Sequence, residues 1–141
     1  MEIVEQFKSL FEPELVKALD KNARLVEVKA GETILEIGQT VRTMPIILSG
    51  TVKVSRIDED GKELLLYYVN PNESCAMTFT CCMQQYPSEV QAVAEEDVQM
   101  LTIPINFMDE WLVKYPTWKS FVMKTIRNRF HEMLNVIDQN A

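Results

Sequence analysis

The residues of this chain best suited to chemistry crowd into one stretch. "SCAMTFTCCMQQYPSEVQAVA", residues 74–94, holds all three cysteines, Cys75, Cys81 and Cys82, and no lysine, arginine or histidine. Thiolates invite soft-metal chemistry. Structural zinc takes four ligands, usually with paired cysteines about two to four residues apart. The spacing here is C-x5-C-C, and the single histidine, His131, lies far along the chain. The set is an incomplete metal site unless a ligand comes from elsewhere, and no metal is expected. Thiol switching is the second option. A reactive thiol needs a cation or a helix N-terminus to lower its pKa. No cation is near in sequence, although a helix starting near Thr78 or Thr80 would offer its dipole. The third option is packing, because cysteine behaves as a small buried hydrophobe. Ala76, Met77, Phe79 and Met83 flank the thiols and suit that reading. Packing is the primary expectation, and redox or metal use of Cys75, Cys81 and Cys82 is the alternative. Enzyme chemistry finds little here. One histidine cannot supply a multi-histidine metal site, and no nucleophile-elbow pattern accompanies His131. The chain is expected not to be an enzyme.

The positioning elements follow from composition and pattern. The 141 residues suit one domain, with 47% hydrophobic and 25% charged residues in an ordinary globular balance. The net charge of −7 disfavours contact with a phosphate backbone, so nucleic acid is not expected to be bound by these residues themselves. No apolar run approaches the roughly 20 residues of a membrane span. The N-terminus lacks the apolar core of a signal sequence. A cytoplasmic protein without membrane contact is the expectation, and a small odd number of cysteines agrees with a reducing compartment.

Residues 1–22 read as two short helices with a break near Glu12, because Pro13 suits a first helical turn. Ile3, Phe7, Leu10 and Phe11 fall on one face, and Leu15, Val16 and Leu19 on another. Residues 24–103 change texture. Val26 and Val28 alternate with Glu27 and Lys29, and Val52 and Val54 with Lys53 and Ser55, the period of half-buried strands. Asp58-Glu59-Asp60-Gly61 reads as a hairpin loop. Residues 89–94 and 97–103 read as two further strands. Regular short strands with turns between them point to a mainly β fold, a sandwich or jelly roll with flanking helices. Residues 104–140 return to helix, first from Pro104 to about Lys114 and then from Pro116 to about Asn140. Met123, Ile126, Phe130, Met133 and Ile137 are spaced three, four, three and four, a short heptad seam. A helix packed on its own barrel is one reading, and a helix shared with a twin in a homodimer is the other; the second is preferred. Phe121, Val122, Thr125 and Leu134 widen the apolar face.

The glycine pattern then becomes specific. Gly31-Glu32 with Ile34, Gly38, the apolar run into Gly50, "TVKV", Asp60-Gly61, the strand into Asn70 and the Asn72-Glu73 turn occur in order. This series resembles the cyclic-nucleotide-binding domain of bacterial CRP/FNR-type transcription regulators, across nearly the whole chain. The resemblance implies a β-jelly roll (a double-stranded β-helix) as one effector domain over 1–141, with a short cassette helix at the ligand's phosphate and a long C-terminal dimerisation helix. It also implies that DNA is read by a helix-turn-helix domain beyond that helix. Ala141 ends the sequence before any such element, so DNA contact is expected only through a domain absent here.

The residues that resemblance assigns to a cyclic nucleotide are altered. The Gly-Glu pair that takes the ribose falls on Ala76-Met77, and a thioether is a poor substitute for a carboxylate acceptor. The Arg-Ser or Arg-Thr pair that grips the phosphate falls on Pro87-Ser88, and proline offers neither charge nor N–H. Losing the partner of a buried phosphate costs about 3–5 kcal/mol, or about two to three orders of magnitude in affinity. The base-contacting hydroxyls fall on Met133-Leu134. Cys75, Ala76, Met77, Thr78, Pro87, Ser88, Arg129 and Met133 are the pocket candidates. Among them Ser88 could still bond an anion, and Arg129, with Asn128 beside it, is the one replacement cation in reach. The plain reading of Arg129 is a solvated helix arginine. The expectation is a dimeric effector domain not gated by cyclic AMP, without a cofactor, and answering to an unknown small molecule or to none. If it binds nothing, it acts as a scaffold. Side chains such as Met77, Phe79 and Met133 would then fill the cavity.

Overall fold

The computed structural model describes the backbone of residues 2–84 and 86–140 and the side chains of residues 5–80 and 86–139. A 3-10 turn, Glu2–Phe7, precedes helix α1, Pro13–Asn22. The predicted break at Glu12 is real, and Pro13 opens the helix. Glu12 also ties the N-terminus to the far end of the fold. Its carboxylate accepts from the Thr117 backbone N–H at 3.2 Å and from the Thr117 hydroxyl at 2.9 Å. It thereby satisfies a donor in the first turn of the last helix. The first segment is not α-helical, and its facing pattern differs from the expected one. Phe7 and Phe11 are buried, but Leu10 is 41% exposed. The 3-10 helix ends at Phe7 and Leu10 lies in the turn that follows, so the helical spacing that put Leu10 on the same face does not hold there. Ile3 lies outside the described side chains.

Among the described residues seven strands follow: β1 (Arg24–Val28), β2 (Thr33–Leu35), β3 (Thr43–Ser49), β4 (Val52–Ile57), β5 (Glu63–Val69), β6 (Gln91–Ala94) and β7 (Val98–Pro104). They form a three-stranded sheet in the order β1-β7-β3 and a four-stranded sheet in the order β2-β6-β4-β5. Every pairing is antiparallel. Both sheets contribute to one core, which is the expected jelly roll: Ile46, Leu101 and Ile103 come from one, and Val52, Val54 and Ala92 from the other. Between β5 and β6 the chain forms helix α2, Ala76–Gln84, the cassette helix. Helices α3, Phe107–Lys114, and α4, Pro116–Asn140, close the fold.

Two turns show why glycine stands where it does. Asp58 Oδ1 accepts from the Asp60 and Lys62 backbone N–H groups, and Gly61 closes the hairpin at φ +83°. Gly50 has φ +85° and abuts the carbonyl of Asp97, leaving no room for a Cβ. Pro104 does not begin a helix. It ends β7 opposite Thr43, and Ile105 N–H donates to the Arg42 carbonyl at 3.1 Å. Proline is tolerated at a strand end, and α3 starts at Phe107.

Trp118 sits at the centre of an aromatic cluster. Its ring lies 6.2 Å from Phe11, 6.0 Å from Phe79, 5.3 Å from Trp111 and 5.8 Å from Phe121. The N-terminal segment, cassette helix, α3 and α4 therefore meet on one side chain. Phe121 and Val122 bury the first part of α4 against the domain. Beyond Ile126 the same helix leaves its apolar residues in solvent.

Candidate functional site

The loop into α2 is fastened to β3. Asn72 takes a left-handed conformation with φ 68°. Its N–H donates to the Ile47 carbonyl at 2.7 Å, and Ile47 N–H donates back to Glu73 at 2.9 Å. The Ser74 hydroxyl donates to the Pro45 carbonyl. Cys75 is thus delivered into the roll, buried, as a free thiol.

Tyr67 of β5 joins this loop to α4. Its hydroxyl lies 3.3 Å from Cys75 Sγ and accepts from the Met77 N–H at 3.4 Å. The Arg129 guanidinium stacks 4.3 Å from the Tyr67 ring centroid. Burial first, and then the neighbouring Cys75, push the Tyr67 phenol well above its ordinary pKa. Arg129 also donates to the Tyr68 carbonyl at 3.0 Å and to Glu73 at 3.3 Å, and contacts Glu132 at 3.1 Å. Its side chain is only 18% exposed. This is not the solvated helix arginine expected from sequence. Nor does it line the roll interior, because its contacts hold it at a groove between α4 and the Glu73-Ser74 loop.

Among the described residues a small cavity of about 30 Å³ lies inside the roll, lined chiefly by Ile47, Val52, Val54, Val69 and Met100, with Cys75 and Thr78 at the cassette side. That volume matches about one water molecule, and its wall is apolar.

The other candidates scatter. Ala76 is buried and Met77 half-buried, but neither lines this cavity. Phe79 turns away from the cavity, to Trp118 and Phe121. Met133 is exposed on α4. Of the three side chains expected to fill the interior, Phe79 is fully buried in the core and Met77 packs against it, whereas Met133 is exposed. Pro87 bridges Thr40, and Ser88 N–H donates to Gln39 at 2.9 Å, so the segment is paired like a strand. The Ser88 hydroxyl donates to the Val90 carbonyl at 2.6 Å and accepts from the Val90 N–H at 3.2 Å. A local turn occupies the group expected for an anion. Cys81 and Cys82 lie outside the described side chains. Among the described residues no three His, Cys, Asp or Glu side chains group as metal ligands. No helix among them is long and apolar enough to cross a membrane.

Sequence reading missed Tyr67 and Glu73 as partners of Arg129. "ELLLYYV" has no alternation to mark which tyrosine turns inward. The Asn72-Glu73 turn was visible, but its cross-chain partner was not.

The cyclic nucleotide-binding domain family model matches residues 25–115. The global nitrogen regulator of Synechococcus elongatus is 24% identical over 118 residues, covering 84% of this chain and 53% of that protein. The CRP-like cAMP-activated global transcriptional regulator of Mycobacterium tuberculosis is 23% identical over 124 residues, covering 88% and 54%. The chain spans about half the length of these curated relatives. The catabolite activator protein of Thermus thermophilus superposes with a TM-score of 0.75 at 21% identity, over 94% of this chain and 61% of that one. The ordered glycine turns, the two-sheet roll with its cassette helix and the family match agree: this chain belongs to the cyclic nucleotide-binding domain family.

Proposed function

We propose that this chain is the effector and dimerisation domain of a CRP/FNR-type transcription regulator, and that it does not answer to cyclic nucleotides. The observation that carries this reading is the interior cavity of about 30 Å³. Ligand pockets for molecules of drug or nucleotide size run to about 300–1,000 Å³. The altered grip agrees with it: Met77 and Pro87 replace the acid and the arginine of the resemblance, Ser88 is spent on Val90, and Arg129 is held by Glu73. The relatives' roles supply the context, since both curated relatives are regulators by name.

Dimerisation rests on α4. Met123, Phe130, Met133 and Ile137 form the seam and are about half exposed, with Phe130 at 58%. Met123, Ile126, Phe130 and Leu134 also frame an open groove on the helix. Two such seams would bury each other in a parallel pair. DNA contact would fall to another domain, since this one is acidic.

Titration calorimetry with cyclic AMP and cyclic GMP tests the reading. No saturable heat is expected. Micromolar binding of either nucleotide would overturn it. A ligand-free scaffold is the second reading, favoured by the same small cavity, and it predicts no heat with any small molecule.

A further inference from the structure

We propose that strand β5 supplies a second strip of the dimer interface, on which Leu64 and Leu66 receive Leu134 of a second copy. The proposal rests on the α4 dimer for its partner and adds a surface that the α4 seam leaves out.

The β4–β5 hairpin carries apolar side chains into solvent. Leu64, Leu65 and Leu66 are 39%, 51% and 42% exposed, in a strand that is buried only at Val69. The register sorts them by face. Tyr67 stands opposite Val54 and Leu64 opposite Arg56. Val54 and Arg56 are two apart on β4, so Tyr67 and Leu64 share a face. Leu66, two from Leu64, joins them, and the register shift between Val54 and Ser55 absorbs the extra residue. Leu65 stands opposite Ser55, on the other face. The face of Leu64, Leu66 and Tyr67 is the one that α4 approaches, because Arg129 stacks on the Tyr67 ring at 4.3 Å.

The heptad names the occupant. With Met123, Phe130 and Ile137 at a, and Ile126 and Met133 at d, Arg129 falls at g and Leu134 at e. In a parallel pair the g flank of one helix lies beside the e flank of the other. Leu134 of the second copy therefore arrives on the side of the seam where Arg129 holds β5. Leu134 is 46% exposed and lies outside the a and d positions. The area points the same way. Met123, Phe130, Met133 and Ile137 are about half exposed, and at roughly 200 Å² for a large side chain they offer roughly 400 Å² per copy. A stable homodimer buries about 800 Å² per partner, about 65% of it apolar, or roughly 500 Å². Leu64, Leu66 and Leu134 add roughly 200 Å² and close that gap. A strand added along the β5 edge is the rival occupant. It is disfavoured because the Tyr68 carbonyl already accepts from Arg129 and the register shift interrupts the ladder.

Sedimentation equilibrium of the chain and its variants is the test. Leu64→Thr combined with Leu66→Thr keeps strand propensity. It should raise the dimer dissociation constant about 30-fold or more, since each dimer holds the strip twice. Leu65→Thr, on the other face, should change it by less than about 3-fold. Leu134→Ala should weaken the dimer by about 10-fold alone, but by less than about 3-fold once the two β5 leucines are gone. A mixed dimer with one copy 13C-labelled needs no substitution. The Leu64 and Leu66 methyls of the labelled copy should show NOEs to the unlabelled one. If those NOEs are missing while the Met133 methyl shows them, or if the β5 pair of substitutions leaves the dimer constant unchanged while Phe130→Glu dissociates the chain, the second strip is overturned and the α4 dimer stands. A wild-type chain that stays monomeric would overturn the α4 dimer itself, and the strip with it.

Discussion

Replacing Arg129 with alanine tests how α4 is fixed to the roll. The guanidinium makes three kinds of contact that alanine lacks. Stacking on half-buried Tyr67 at 4.3 Å is worth about 1 kcal/mol, between the exposed and desolvated cases. The bond to the Tyr68 carbonyl at 3.0 Å contributes about 1 kcal/mol. The pair with Glu73 is partly solvated, since the Glu73 side chain is 45% exposed, and adds about 0.5 kcal/mol. The expected loss is about 2–3 kcal/mol. Urea unfolding at a fixed protein concentration measures it, because a dimer's midpoint depends on concentration. Arg129→Lys keeps the charge but not the planar stack, and should fall between wild type and alanine. A double-mutant cycle with Tyr67→Leu should return a coupling of about 1 kcal/mol. A loss below about 0.5 kcal/mol for Arg129→Ala would refute the reasoning and return Arg129 to the class of ordinary surface arginines.

Other expectations follow from the same contacts. Gly50→Ala should cost about 3 kcal/mol or more in thermal unfolding, since its Cβ would meet the Asp97 carbonyl at positive φ. Gly61→Ala, with open space around it, should cost only about 1–2 kcal/mol. Trp118 Nε1 is buried without a hydrogen-bond partner among the described residues. Trp118→Phe should therefore cost less than about 2 kcal/mol, while Trp118→Ala should cost about 3–5 kcal/mol by denaturant melts. Tyr67 stays neutral in the fold beyond the ordinary phenol pKa of about 10. Its contribution is complete below that pH and is lost as the pH rises above it. Tyr67→Phe should flatten the alkaline fall in stability, and an unchanged pH profile would contradict the assignment. Phe130→Glu should leave the chain folded but monomeric by light scattering, because Phe130 touches solvent rather than the core.

The legible parts of the fold were those set by local backbone chemistry. Pro13 and Pro116 open helices because a first turn needs no N–H from them. Asp58 and Gly61 close a hairpin because one side chain can bond the turn and the other residue can take positive φ. Pro104 misled, since proline suits a strand's end as well as a helix's start, and only its pairing with Thr43 decides. The candidate site was less legible because its contacts join distant segments. The replacement of the resemblance's acid and arginine by Met77 and Pro87, on which the proposed loss of a nucleotide grip rests in part, was legible from the residues alone. That Arg129 stacks on Tyr67 and that strand residues such as Val54 and Met100 line the interior depend on how two sheets and α4 meet. No spacing rule carries that information.

Sedimentation velocity of the chain with and without saturating cyclic AMP tests the central claim most directly. The account predicts a dimer held by α4 whose boundary is the same in both cells. A monomer, or a sedimentation coefficient that shifts with the nucleotide, would contradict it.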